Sequence, residues 1–297
     1  MDEKEWLDFI LPLENSFDNL ISDERNAVEF LKPIIIEAIK KNCTGKFALS
    51  FSGGVDSTLI AFVAKKLGFN FRCYAVGLEN SQDVFFARKI AQELGLDLRA
   101  EVLSIDELEN IIESVVNIIR EPDVTKVSVG SVGYAIFEMA KEDSVERILT
   151  GLGSEEIFAG YDRHLKSLGE NNSKDNWKAL HEECWNGLKG MWQRDLSRDF
   201  AIAKTFGIEI GAPFLDKDVI ISSMNIHPKL KLDSEHKKII LRKTAESLGL
   251  PKEFAWRGKK AAQYGSKFIL GLDKLSRRNG FKMKKGYLSL ILDKIPQ

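Results

Sequence analysis

Ser52-Gly53-Gly54-Val55-Asp56-Ser57 places two glycines, three hydroxyl or carboxylate side chains and a helix start within one short stretch. It follows the apolar run 47–51 and precedes 58–68, where apolar residues recur at helical spacing and the run closes on Gly68. A glycine pair between strand and helix lets the backbone approach a ligand closely. The helix N-terminus then offers unpaired N–H groups and the positive end of its dipole. The chemistry is anion binding, with the hydroxyls of Ser52, Ser57 and Thr58 as further donors. No lysine follows the glycines, so this is not a Walker-type loop. Asp56 beside a polyphosphate makes sense mainly as a Mg²⁺ ligand. A glycine-rich turn with a serine cap is the bland alternative, and the whole string in its strand–helix context favours the functional one.

A second constellation, residues 150–161, again leaves a strand, crosses Gly151 and Gly153 and enters a helix. Glu155 and Glu156 at that helix start could simply complement its dipole. A carboxylate there could equally face Asp56 across a magnesium-bound pyrophosphate, since magnesium takes a few carboxylates plus phosphate oxygens.

The elements that must position these residues follow from periodicity. Strands are expected at 47–51, 71–77, 98–103 and 145–150, alternating with helices at 58–68, 81–95, 105–119 and 131–140. That alternation implies an α/β fold with a doubly wound parallel sheet, whose ligands bind at the carboxyl ends of the strands. Residues 26–42 read as an amphipathic helix interrupted early by Pro33. Beyond residue 160 the strand signal nearly vanishes. Helices at 173–206, 216–225, 235–249 and 251–256 then form a helical C-terminal part over one side of the sheet. The stretch from 270, with Lys282, Lys284 and Lys285, reads as a basic tail that is solvated or loosely docked.

Composition excludes little but is consistent. The chain has 297 residues, 44% hydrophobic and 29% charged, with a formal net charge of −1, so its overall charge makes no case for nucleic acid or membrane binding. No apolar run reaches the length of a membrane span, and the acidic start is no signal peptide. Cys43, Cys73 and Cys184 form neither a disulfide framework nor a zinc set, which points to a reducing cytoplasm.

The Ser52–Ser57 loop resembles the pyrophosphate-binding loop of the ATP pyrophosphatases. Together with the Thr150–Tyr161 stretch it resembles the synthetase domain of the asparagine synthetases. Arg194-Asp195 with Arg198-Asp199, the segments 209–216 and 238–242, and 250–263 extend the likeness in order along the chain. The segments 159–164 and 262–267 look closest to the asparagine-synthetase-domain-containing proteins. The resemblance implies a helical extension over 1–42, a synthetase-like domain of the ATP pyrophosphatase type over 43–268, and the tail over 269–297. It implies ATP and Mg²⁺ as cofactors, a small-molecule carboxylate (aspartate first) and ammonia as reactants, and AMP and pyrophosphate as products. Ser52, Gly53, Gly54, Asp56 and Ser57 would hold the pyrophosphate. Asp56 and Glu155 would be the metal ligands, Gly151 would lie near the nucleotide, and Lys238 would be the cation at the reacting phosphate. Asp195 and Arg242 are supporting candidates that could equally be structural. Lys238 taken alone would be a surface charge in a basic helix, and the 209–216 segment a rigid turn fixed by Pro213.

Two departures bear on the substrate. Residue 2 is Asp2 and the first cysteine is Cys43, so the N-terminal glutaminase nucleophile of the glutamine-dependent enzymes has no counterpart. Ammonia is therefore expected free or from a separate glutaminase subunit. The other departure is Leu152, where the asparagine synthetases carry a glutamate at the reacting centre. Leucine can neither ionise nor take a proton. The alternatives are a related ligase on another carboxylate, a tRNA-modifying enzyme with the same loop, or a non-catalytic nucleotide-binding subunit. A homodimer is left open.

Overall fold

A computed structural model describes residues 1–167 and 174–295. The chain begins with α1 (Glu3–Ile10), held by an Asp2–Glu5 capping box, and α2 (Glu24–Asn42). The βα units follow: β1 (Phe47–Ser50), α3 (Val55–Lys66), β2 (Arg72–Leu78), α4 (Gln82–Leu94), β3 (Asp97–Leu103), α5 (Ile105–Ile119), α6 (Val124–Glu142) and β4 (Arg147–Leu149). Next come α7 (Ser154–Ile157), α8 (Asp162–Ser167), α9 (Lys174–Lys189), α10 (Ser197–Phe206), β5 (Glu209–Gly211) and α11 (Lys217–Met224). The chain finishes with α12 (Ile239–Ser247), α13 (Lys252–Ala255), α14 (Ala262–Gly265), α15 (Phe268–Arg278) and α16 (Lys284–Asp293).

The strands pair in the order β3-β2-β1-β4-β5, all parallel. This is the doubly wound α/β sheet expected from the sequence. The chain runs outward from β1 to β3 and then returns to the other side of β1, so the strand order reverses between β1 and β4. At such a switch point the two loops diverge and leave a crevice. Strand side chains alternate between two core layers, as the pleat requires. Phe47, Leu49, Cys73 and Ala75 join the layer beneath α2, α3 and α12, whereas Ala48, Tyr74 and Val76 join the layer beneath α5 and α6. All three cysteines are buried and free. Among the described residues no helix is long and apolar enough to cross a membrane.

Several local expectations need correction. Pro33 lies inside α2 at an exposed position and does not end it. The 131–140 helix starts earlier, where the Asp123 carboxylate caps it by accepting from the Lys126 amide at 2.7 Å; Gly130 and Gly133 had weakened the helical signal upstream. The single helix expected over 173–206 breaks at Gly190, and a π-helical turn, Trp192–Leu196, leads into α10; residue 173 lies outside the described residues. The 209–216 segment is not only a turn. It opens with β5, three residues long and too short for a periodicity to show, and continues as a 3₁₀ turn from Pro213 to Leu215. The stretch from 270 is not loosely docked. Leu272 and Leu275 of α15 and Tyr287, Leu288 and Ile291 of α16 are buried in the second layer. Arg278 pairs with Asp106 and Glu109, Lys284 with Asp273, and the Tyr287 hydroxyl donates to Glu109. Basic composition masked an apolar stripe there. Residues 296–297 lie outside the described residues.

The core holds one costly group. Lys231 is fully buried, and among the described residues its ammonium reaches the Met224 sulfur at 3.5 Å and no carboxylate within 4.0 Å. Burial pulls its pKa down to about 8. The unfolded chain therefore binds the extra proton between about pH 8 and 10.5, and stability rises with pH across that window. Lys231→Met, similar in length and free of charge, is expected to raise unfolding free energy at pH 7 by about 1–3 kcal/mol. The gain should shrink towards pH 10.5. Urea titrations at the two pH values check it, and destabilisation at pH 7 would contradict it.

Candidate functional site

β1 and β4 are adjacent and in register, with Phe47, Ala48 and Leu49 opposite Arg147, Ile148 and Leu149. The loops that follow them therefore leave the same sheet edge side by side. Contact between them is close: a Cβ on Gly151 would stand 2.9 Å from the Asp56 Cβ. Only a residue without a side chain lets the β4 loop pass the start of α3 at this separation.

Lys238 comes to this crevice from far along the chain. Its ammonium donates to Asp56 Oδ1 and Oδ2 at 2.9 and 2.8 Å, to Glu155 Oε1 at 2.7 Å and to Ser154 Oγ at 3.0 Å. The Lys238 side chain is 5% exposed, that of Asp56 18% and that of Glu155 39%, so the cluster is closed beneath and open at one carboxylate. Burial alone would push the Asp56 carboxyl up, but the Lys238 ammonium holds it below the usual carboxylate range. Burial would likewise lower Lys238, and the two carboxylates hold it above the ordinary lysine value. All three charges are kept.

Lys238 is not in a basic surface helix. It is the N-cap residue before α12, buried, with a left-handed backbone at φ +59°. Ala159 on the facing loop is also left-handed at φ +55°. Two such non-glycine conformations at one site are a local strain held by the surroundings. Part of that hold is Arg242, whose Nε donates to the Lys237 carbonyl at 2.8 Å and whose Nη1 donates to the Ala255 carbonyl at 2.6 Å. Arg242 thus acts on the site through backbone. Beneath the triad, a Cβ on Gly160 would overlap the Glu155 carboxylate and the Lys238 stem.

The hydroxyls divide. Ser52 and Ser57 lie with their Oγ atoms 3.4 Å apart, and Ser57 Oγ donates to the Gly54 carbonyl at 3.3 Å. Thr58, counted above among the loop donors, is fully buried, and its hydroxyl has no partner among the described residues. It takes the next turn of α3, directed into packing.

Asp195 is not brought to Lys238. It pairs with Arg194 at 2.7 Å and Arg198 at 3.5 Å, and Arg198 pairs with Asp199 at 2.7 Å. Arg194 also grips Glu156, whose carboxylate accepts from the Tyr161 hydroxyl at 2.9 Å. Burial pushes Glu156 up to about 7 against the Arg194 charge. Leu152, half-buried, packs against the first core layer and brings no charge to the crevice. Sequence reasoning missed Ser154, Gly160 and Arg257. The first two stand inside the second motif and could have been singled out, but Arg257 carries no local signal.

The asparagine synthase family model matches residues 35–280. A Methanocaldococcus jannaschii protein provisionally named glutamine-hydrolysing asparagine synthetase 1 is 32% identical over 87% of this chain and 53% of its own length. Asparagine synthetase B of Escherichia coli, also glutamine-hydrolysing, is 27% identical over 86% of this chain and 46% of its own. A probable glutamine-hydrolysing asparagine synthetase of Schizosaccharomyces pombe is 28% identical over 82% and 48%. The chain thus spans about half the length of these relatives.

Two outcomes follow from the site geometry. Gly160→Ala should fold but lose about 1–3 kcal/mol, because the new methyl must displace Glu155 or Lys238; unchanged urea unfolding would contradict the close approach. Glu156 has a folded pKa above its ordinary 4.5, so wild-type stability is lost as pH rises through about 7. Glu156→Gln lacks that loss, and its melting temperature relative to wild type should climb between about pH 5 and 8.

Proposed function

The chain belongs to the asparagine synthase family, and from that premise we propose that it is an ATP-dependent, AMP-forming carbon–nitrogen ligase. The reading is that it adenylates a carboxylate, aspartate first, and passes ammonia to the acyl group. The observation that supports it best is the Lys238 ammonium, buried between Asp56 and Glu155 at the mouths of two glycine loops. Those loops sit at the switch point of the sheet, where phosphate oxygens would meet the N-terminus of α3.

In the proposed reaction a substrate carboxylate oxygen forms a bond to the α-phosphorus and the bond from that phosphorus to the bridging oxygen breaks. Pyrophosphate leaves towards Ser52, Gly53, Gly54 and Ser57. Ammonia then attacks the acyl carbon, AMP departs with the carbon–oxygen electron pair, and the nitrogen sheds its excess proton. Lys238 stabilises the negative charge that builds on the α-phosphate, and it needs no reorganisation because its partners already fix it. Gly151 borders the nucleotide.

Asp56 and Glu155 fit a divalent cation. Both are carboxylates converging on one cationic point, and Glu155 is open enough to accept a ligand. Among the described residues no three His, Cys, Asp or Glu side chains gather as a metal cluster. Two carboxylates completed by phosphate oxygens is the donor set magnesium favours. When bound, Mg²⁺ would supply charge neutralisation to the leaving pyrophosphate. Ammonia, free or from a glutaminase subunit, is the proposed amine, and the cytoplasm the proposed compartment. Leu152 favours one second reading, the same chemistry on a different carboxylate, because the crevice has no ionisable group at that position.

The test is pyrophosphate release with Mg-ATP, aspartate and ammonium, with AMP and amide followed by mass spectrometry. Equal AMP and asparagine are expected if aspartate is the acceptor. ATP binding without turnover would select another carboxylate, and no ATP binding would overturn the proposal. Asp56→Asn and Lys238→Ala should each cut pyrophosphate release at least ~100-fold while the far-ultraviolet spectrum is kept. Leu152→Glu should raise asparagine formation if aspartate is the substrate.

A further inference from the structure

The Ser52-Gly53-Gly54 loop is gripped from behind. Arg257 Nε donates to the Gly53 carbonyl at 2.8 Å and its Nη2 to the Ser52 carbonyl at 3.0 Å. The guanidinium lies 4.3 Å from the centre of the Phe86 ring, and Arg242 donates to the Arg257 carbonyl at 3.2 Å. Arg257 is thereby held through both side chain and backbone. Because a trans peptide sets C=O and N–H on opposite sides, carbonyls drawn to Arg257 turn the Gly53 and Gly54 amides away from it. Among the described residues neither amide donates to another group of the protein. Two free N–H groups beside the start of α3 form a concave donor set for an anion.

Two residues beyond Arg257, Lys259 lies against this loop. Its Cδ is 2.8 Å and its Cε 3.8 Å from where a Cβ on Gly54 would be. The residue is exposed, and among the described residues no carboxylate lies within 4.0 Å of its ammonium. Its charge nevertheless reaches Asp56 in the crevice and Asp83 at the start of α4, favouring the ionised form of each. Asp83 is 4% exposed, with Oδ1 unpartnered and Gly265 packed against the carboxylate. Lys259 is therefore a cation without an ion-pair partner, carried over the glycines by a fixed arginine. Lys238, in contrast, is already saturated by two carboxylates.

We propose that Lys259 is a second polyphosphate-binding residue, contacting the pyrophosphate end of the nucleotide, and that Arg257 is the positioning residue that presents both it and the loop amides. The inference rests on the nucleotide reading above and adds two residues to it. The juxtaposition of a free ammonium with two unsatisfied amides selects for phosphate oxygens and gives the adenosine end no part.

The test is calorimetric titration of the full chain with Mg²⁺ and three probes: an α,β-methylene ATP analogue, inorganic pyrophosphate and AMP. Lys259→Ala should weaken the analogue and pyrophosphate about tenfold or more and leave AMP within about twofold, a difference of about 1.4 kcal/mol. Lys259→Arg should restore most of the loss. Arg257→Lys, which keeps the charge but not the two-carbonyl grip, should also weaken both polyphosphates while sparing AMP. Equal weakening of AMP, or unchanged polyphosphate affinity in Lys259→Ala while wild type binds, would overturn the assignment. Wild-type protein that binds none of the probes would overturn the nucleotide reading, and this inference with it.

Discussion

The Lys238 ammonium between Asp56 and Glu155 is the interaction on which the other features of the site depend. A lysine 5% exposed is tolerable only if its charge is matched, and a carboxylate beside it must be matched in turn. Three segments remote in sequence meet there: the loop after β1, the loop after β4 and the entry to α12. That meeting explains the glycines at 151 and 160, where any side chain would occupy space the charged groups need. It also explains why Lys238 is kept in a left-handed conformation that lysine rarely adopts. Removing any one of the three charges would leave the others desolvated and unmatched, which costs more than the pair contributes.

Glu155 and Glu156 are neighbours in sequence with different physical roles. Glu155 faces the crevice, 39% exposed, and shares Lys238 with Asp56. Glu156 points into the protein at 2% and is held by Arg194 and Tyr161. One short helix, α7, thereby ties the open charge cluster to the buried network of Asp195, Arg198 and Asp199. The π-helical turn that carries Arg194 and Asp195 makes that tie, since a straight continuation of α9 would place them at different angles. The two arginines Arg242 and Arg257 are a further frame. Neither hydrogen-bonds a carboxylate of the site, and both donate to backbone carbonyls that fix the segments bearing the functional groups.

Leu152 separates the phosphate chemistry from the acyl chemistry. The groups that would hold phosphates converge and keep their charges, whereas the residue between Gly151 and Gly153 contributes only apolar contact with the core. Activation of some carboxylate is thus better supported by this geometry than the identity of the acceptor.

Local pattern was enough for most of the fold. The alternation of apolar runs with helical periodicity located β1 to β4 and the helices between them, and serine and glycine marked both ends of α4. β5 escaped because three residues carry no period, and α15 and α16 because lysines and glycines obscured an apolar stripe. The loop residues Ser52 to Ser57, Gly151 and Glu155 were legible because an anion loop is a local object, built by consecutive backbone amides at a helix start. Lys238 was legible only by resemblance. Its own neighbourhood, Lys237 and the polar residues before it, describes a solvated helix face. Thr58 was misjudged because adjacency to a loop does not say which way a helical side chain points. Arg257 and Lys259 had no signal at all, since nothing near them in sequence refers to residues about 200 positions earlier. Sequence by itself therefore determined the layers, the two glycine loops and the kind of ligand they suit. Only the tertiary structure decided which charges meet, because partners for a buried ammonium are set by the order of strands in the sheet and by the packing of helices that local pattern cannot place.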